Sequence, residues 1–309
     1  MVSIVILTLN SGRYIKGLLE QLLVQSIKPG EVIVIDSSST DNTAALAESM
    51  GAKVIGIVRE DFDHGGTRNM AVRQAKGEII IFLTQDVSIA DRYALERLIS
   101  PFGEDERLGA AYGRQLPYPD ATIFSEHLRL FNYQKQSYVN SPEDRARGIK
   151  GPFLSNSFAA YRKKALQDIG LFKGNLISTE DTYAGAKMLM AGYKLAYVAD
   201  AMVYHSHNYT VLQEFRRYFD IGVFHKTENW IEKEFGKAEG EGLKYLKSAA
   251  LFLIKKGKYH LFPAFFIRNG LKYWGYSLGK HYEKIPKGII MRISMHKSWW
   301  NKSLDRGLV

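Results

Sequence analysis

Five short stretches of the 309-residue chain carry side chains able to do chemistry. The first, Asp36-Ser37-Ser38-Ser39-Thr40-Asp41, follows an apolar run, so Asp36 could accept hydrogen bonds from a base N–H or a ribose hydroxyl. Ser38 and Asp41 stand at capping-box spacing, which would occupy those two and leave Asp36 free. The second, Phe62-Asp63-His64-Gly65-Gly66-Thr67-Arg68-Asn69, opens a helix. Its glycines would let the backbone approach a ligand, its helix start favours anions, and Arg68 could add a forked phosphate contact. The plain alternative is a turn with a surface arginine. In the third, Phe82-Leu83-Thr84-Gln85-Asp86-Val87, a buried run delivers Asp86 to its exposed end. An acid there suits a divalent cation bridging two phosphates, although caps and turns use the same residue.

The fourth stretch, Ser178-Thr179-Glu180-Asp181-Thr182, starts a helix, again with capping-box spacing between Ser178 and Asp181. A carboxylate in that first turn is favoured as the anion by the helix dipole and could take a proton from a hydroxyl. The fifth is Val203-Tyr204-His205-Ser206-His207-Asn208. Alternation along a strand puts His205 and His207 on one side, where neutral imidazoles could ligate Mn²⁺, or else lie on an ordinary surface. The chain has neither GxxxxGK[ST] nor GxGxxG after its first strand, which counts against a P-loop kinase or a NAD enzyme.

These residues need elements to hold them. Apolar, β-branched runs at Val2–Leu7, Glu31–Ile35, Lys53–Val58 and Glu78–Leu83 read as strands buried on both faces. Helix-like stretches alternate with them: Tyr14–Gln25, Asp41–Met50, Gly66–Ala75 and Arg92–Ser100. That order predicts an α/β fold with a doubly wound, mostly parallel sheet, whose ligands bind beyond the carboxyl ends of the strands. After Ala110 the pattern loosens. A helix is expected over Ile123–Tyr138, a polar loop from Asn140 to Lys150, helices near Lys163–Ile169 and Glu180–Ala191, and a strand over Lys194–Tyr204. From Val211 onward the pattern is helical, basic and aromatic.

In their order along roughly residues 1–210, the motifs resemble glycosyltransferase family 2 and its GT-A fold. The resemblance rests on Val-Ser-Ile-Val-Ile-Leu-Thr-Leu-Asn at the start, Asp36 with SSSTDNT, Gly66-Thr67-Arg68-Asn69, the strand ending at Asp86, and Glu180-Asp181. FDHGGTRN and YVADAMVYHSHNYTVLQEFRRYF look most like the family's bacterial rhamnosyltransferases, which build O-antigen, capsule or exopolysaccharide. The resemblance implies that Thr8, Asn10 and Asp36 hold the nucleoside and that Arg68 steadies the diphosphate. It implies that Asp86 binds Mn²⁺ or Mg²⁺ with the phosphates, that Asp181 is the base, and that His205, or else His207, is a further ligand. The first acid of the family's Asp-x-Asp is Thr84 here, which puts the metal dependence in question. Implied too are inversion at the anomeric carbon, a dTDP-L-rhamnose donor and a glycan acceptor, lipid-linked on polyprenyl diphosphate. The rival from another class is a non-catalytic sugar-nucleotide-binding scaffold protein of a polysaccharide assembly complex. A nucleotidyltransferase is a third possibility, but the Asn10–Tyr14 turn lacks the glycine-rich loop that class wants.

Composition bounds the rest. With no cysteine, disulfides, a thiolate nucleophile and cysteine-ligated zinc are excluded, and a reducing compartment fits. From Glu241 onward 14 Lys and Arg face 3 Asp and Glu, a surplus of 11, while the remainder is about neutral. A basic tail studded with Phe, Tyr and Trp, as in His260–Arg268 and Lys297–Trp300, points to an anionic membrane surface rather than nucleic acid, the plain alternative being a helical subdomain or a dimer contact. The apolar runs Ser248–Ile254 and Leu261–Ile267 are too short to span a bilayer, and Met1 leads straight into a strand without an export signal. The expectation is a catalytic domain over 1–210, a membrane-associating helical region over 211–309, and a cytoplasmic, peripheral enzyme.

Overall fold

The computed structural model describes residues 1–143, 145–237 and 239–305, with only the backbone given for 145–147, 239 and 303–305. Asp144, inside the expected polar loop, and the last four residues of the basic region lie outside it.

The chain opens with β1 (Val2–Thr8), α1 (Gly12–Leu23), β2 (Glu31–Asp36), α2 (Thr43–Ser49), β3 (Lys53–Gly56), α3 (His64–Gln74) and β4 (Ile79–Thr84). Strands β3, β2, β1 and β4 are parallel neighbours, as the alternating pattern requires. Their side chains divide strictly. Ile4, Ile6, Val34 and Ile81 face α1 and α2, while Val5, Ile33, Ile35 and Phe82 pack on the other face with Ala71 and Val72 of α3. Each such fully buried aliphatic contributes about 1.5–3 kcal/mol. That explains why β-branched runs without polar gaps become central strands.

The second half is mixed. After β5 (Ser88–Ile89), α4 (Ala94–Ile99) and α5 (Pro101–Glu104) come β6 (Leu108–Leu116), α6 (Ile123–Asn132), β7 (Tyr138–Asn140), β8 (Phe158–Arg162), α7 (Lys163–Asp168), α8 (Glu180–Met190) and β9 (Lys194–Tyr204). The sheet runs β3-β2-β1-β4-β8-β6-β9-β5, with β7 also on β9. β8 is antiparallel to both β4 and β6, whereas β6 and β9 are parallel. Two differences from the sequence reading stand out. LGAAYGRQL and FAAYR carry few β-branched residues, so β6 and β8 exist because they find partners rather than from propensity. The expected helix Ile123–Tyr138 stops at Asn132, because Tyr133 turns into a cluster of Tyr112, Phe153 and Tyr197 and Tyr138 joins the sheet.

Six helices follow: α9 (Val211–Thr227), α10 (Asn229–Phe235), α11 (Glu239–Lys255), α12 (Phe262–Lys280), α13 (Lys287–Ile293) and α14 (Lys297–Asp305). Helices α9 and α12 cross at Gly222, Gly275 and Gly279, where any Cβ would strike the facing backbone, so the two form one rigid pair. The end of the chain folds back onto the catalytic body. Asp220 accepts from Ser294 Oγ (2.6 Å) and Met295 N (2.9 Å), and Trp299 Nε1 donates to Asn175 O (3.0 Å). Trp300 is buried among Phe219 and Tyr282, so the Lys297–Trp300 aromatics expected at a membrane are core residues instead.

Candidate active site

β1, β2 and β4 end together. Leu9 N donates to Gln85 Oε1 (2.8 Å), which ties the β1 turn to the residue beside Asp86. Asp36 accepts from Thr8 Oγ1 (2.9 Å), Ser39 Oγ (2.6 Å) and Ser39 N (2.9 Å), and Asn10 Oδ1 accepts from Thr40 N (2.8 Å). Thr8, Asn10 and Asp36 thus form one interlocked pair of turns. Asp36 is 5% exposed, and a carboxylate in this arrangement keeps lone pairs for one more donor. The expected capping box at Ser38 and Asp41 is absent. Asn42 is the residue before α2, its side chain caps nothing, and Asp41 instead accepts from Gly12 N (2.9 Å).

The structure brings Asp86, His205 and His207 into one cluster. Their ligand atoms lie within 4.8 Å of one another, with Asp86 carboxylate oxygens 3.5 Å from His205 Nε2 and 3.9 Å from His207 Nε2. Both histidines lie just past the end of β9, and His205 N donates to Leu116 O (2.9 Å), which holds this extension against the end of β6. His205 Nδ1 donates to Gln115 Oε1 (2.9 Å), so the proton sits on Nδ1 and the Nε2 lone pair faces Asp86. Burial keeps both rings neutral, His207 down at about 4. Burial pushes Asp86 up, whereas a hydrogen bond and charge from a protonated His205, then charge from a protonated His207 and a contact with Thr84, would pull it lower. Two imidazole nitrogens and a carboxylate oxygen thus lie close enough to share one ion. The donor set therefore fits a borderline divalent ion such as Mn²⁺. Thr84 stands beside Asp86 and supplies a hydroxyl where an acid was expected.

Asp181 lies half-buried at the start of α8. Its Oδ2 accepts from Asn156 N (3.1 Å) and its Oδ1 from Thr182 N (2.7 Å). Burial, then the neighbouring charge of Glu180, push it up to about 7. Burial also raises Glu180, but Arg68 at 2.9 Å and His64 more than offset it, and Asn156 Nδ2 donates at 3.0 Å. Adjacent carboxylates with opposite shifts are a recognised acid–base arrangement. The expected box at Ser178 and Asp181 does not form. Thr179, at the cap position, sits at φ 61° and makes no side-chain cap. This left-handed turn costs about 1–3 kcal/mol and aims Asp181 away from capping.

Arg68, expected on the diphosphate, is turned inward. It bonds Glu180 and His64 O (3.0 Å), and the residue is 6% exposed. The glycines beside it serve packing, because Gly65 lies against Lys173 O, and Asp63 itself caps α3 at Gly66 N (2.5 Å).

Metal side and base side meet in one loop. Ser155 Oγ accepts from Gln115 Nε2 (2.8 Å), and the next residue, Asn156, holds Asp181. Sequence reasoning missed Gln115, Ser155 and Asn156, whose neighbours gave no sign of a polar site. It also missed Arg129, which donates to Gln115 Oε1 (2.7 Å), and Arg217, exposed on α9 with no ion pair among the described residues. Both arginines place positive charge on His205 and His207, and both act on Tyr133 together with Asp181. Beside Asp86 opens a polar cleft of about 460 Å³, lined by Tyr14, Tyr118, Asp120, His207 and Gln213 among others. An ion-binding floor, a polar cleft and two cations suit a ligand with a diphosphate.

The chain is similar to several known proteins. The chain is 43% identical to the O-antigen chain rhamnosyltransferase RfbN of Salmonella typhimurium over 303 residues, 97% of this chain and 96% of that protein. It is 44% identical to WbaN of Salmonella anatum, also an O-antigen chain rhamnosyltransferase, covering 90% of this chain and 88% of that one. In fold it is similar to a mannosyltransferase of Pyrobaculum calidifontis solved with GDP-Man and Mn²⁺ (TM-score 0.58, 18% identity, 99% of this chain and 86% of that one). Staphylococcus aureus TarS is comparable (TM-score 0.55, 18%, covering 92% and 91%). Residues 3–170 match the model of glycosyl transferase family 2, and with these relatives the chain belongs to that family.

Proposed function

We propose that the protein transfers L-rhamnose from dTDP-β-L-rhamnose to a hydroxyl of a lipid-linked glycan, with inversion, at the cytoplasmic face of a membrane. The relatives named rhamnosyltransferases support the sugar. The reading is supported above all by one chain of contacts: Gln115 bonds both His205 and Ser155, and the next residue, Asn156, bonds Asp181.

Thr8, Asn10 and Asp36 position the nucleoside at the ends of β1 and β2. Asp86, His205 and His207 would hold a divalent ion, which when bound neutralises charge on the leaving diphosphate. Arg129 and Arg217 add positive charge to the same cleft. Asp181 accepts the proton of the acceptor hydroxyl. The acceptor oxygen then bonds to the anomeric carbon as the bond from that carbon to the diphosphate breaks, so the β donor gives an α-linked rhamnoside. Near pH 7 Asp181 divides between its two forms, which suits a base. A scaffold role would leave this shifted carboxylate without a task.

The test is a panel of nucleotide sugars assayed for transfer and hydrolysis, with and without Mn²⁺. Preference for dTDP-rhamnose with loss of turnover on chelation supports the reading. Preference for a UDP-hexose overturns the sugar, and full turnover without metal overturns the role of Asp86.

A further inference from the structure

From Gly242 to Lys280 the chain has no acidic residue and eight basic ones. These residues make up nearly all of α11, the turn after it and α12, an antiparallel pair with very different faces. The inner faces are taken: Tyr245, Leu253 and Phe265 pack with Phe124, Leu128 and Phe131 of the α6 region. The inward cations are also paired, since Arg268 and Lys272 lie 2.9 and 3.3 Å from Glu214.

The outer faces have no such partners. On α11, Leu243, Lys247, Leu251, Ile254 and Lys258 recur at helical spacing, and all are exposed. On α12, Phe266, Ile267, Tyr273 and Trp274 are 67%, 57%, 71% and 57% exposed. The turn from Lys255 to His260 is exposed throughout, and Lys247, Lys255 and Lys258 make no ion pair among the described residues. The inward cations are therefore compensated, and of the exposed ones Lys244 and Lys256 pair with Glu241 and Glu126 while Lys247, Lys255 and Lys258 have no ion pair among the described residues.

We infer that the α11–α12 hairpin is the surface by which the protein docks on an anionic lipid bilayer. Tyr and Trp favour the headgroup layer, and unpaired lysines favour anionic lipid. No helix among the described residues is long and apolar enough to cross the bilayer, so contact is lateral. The glycine-mediated crossing of α12 with α9 makes the contact rigid, and α9 starts four residues after His207. Docking would thus fix the height of the cleft above the lipid. The inference deepens the membrane reading given above, but adsorption to lipid needs neither donor nor acceptor and is measured separately from transfer.

The experiment is co-sedimentation of the full chain with vesicles of phosphatidylcholine alone or mixed equally with phosphatidylglycerol, at low and raised salt. Wild type is expected on the mixed vesicles, less so at raised salt. The triple variants Lys247→Glu/Lys255→Glu/Lys258→Glu and Phe266→Ser/Ile267→Ser/Trp274→Ser should each bind at least about tenfold more weakly, with transfer to a soluble acceptor unchanged. Equal binding by wild type and variants overturns the inference. So does a wild type that ignores vesicles while the same substitutions dissolve a dimer, because the face would then bind protein. Loss of transfer with intact vesicle binding counts against the proposed reaction alone.

Discussion

The two sides of the cleft manage charge in opposite ways. On the metal side, neutral His205 and His207 face the ionised Asp86, and the arginines nearby direct their hydrogen bonds elsewhere. These three groups could hold a divalent cation between them. The base side carries its own cation. Arg68 is spent on Glu180, and Asp181 next to it is left uncompensated. The difference shows how one protein can keep three carboxylates distinct: partner geometry, rather than residue type, decides which faces two imidazoles, which is locked by Arg68 and which is raised toward neutrality.

The largest expected effect tests the titrating one. Asp181→Asn should lower kcat by on the order of 10³-fold, measured by transfer with saturating donor. Because only the carboxylate can accept the proton, wild-type kcat/KM should fall about tenfold per pH unit below about 7. An unchanged rate in the variant would remove the base from this side.

Next comes the locked pair. Arg68→Met strands a buried anion and should destabilise the fold by about 3–5 kcal/mol in urea unfolding. If Arg68 instead contacts the donor, stability will hold while KM for the nucleotide sugar rises. Gln115→Leu frees His205 Nδ1 and should weaken Mn²⁺ binding by about 10–100-fold in calorimetry, and because it also strands Arg129 and Ser155 it should lower stability by about 1–3 kcal/mol in urea unfolding. The smallest effect joins the two carboxylates. Glu180→Gln removes the charge that raises Asp181, so the acid limb of the pH–rate profile should move to lower pH. A limb moving to higher pH would break the comparison, since Glu180 would then be assisting ionisation.

Much of this was readable in the residues. β1, β2 and β4 follow from uninterrupted apolar runs, because burial on both faces leaves no polar positions to confuse the period, whereas β3, read the same way, is a half-exposed edge strand. Asp36 and Asp86 followed from those strands, since a parallel strand must deliver its last side chain to the same edge as its neighbours. His205 and His207 do cluster with Asp86, but they lie past the end of β9 rather than alternating along it, and Asp181 stands in the first turn of α8 as read.

What the residues did not determine was set by contacts far apart in sequence. Gln115, Asn156 and Arg129 matter only because β8 inserts antiparallel between β4 and β6, and no local propensity encodes that pairing. Arg68 looked like a phosphate ligand until Glu180, 112 residues later, turned it inward. Trp300 looked like a membrane anchor until the last helices folded back over Asn175. The sequence by itself determined which side chains carry chemistry and at which edge of the sheet they stand. Only the tertiary structure decided which charges are compensated, because compensation depends on a few ångströms between segments that the chain keeps far apart.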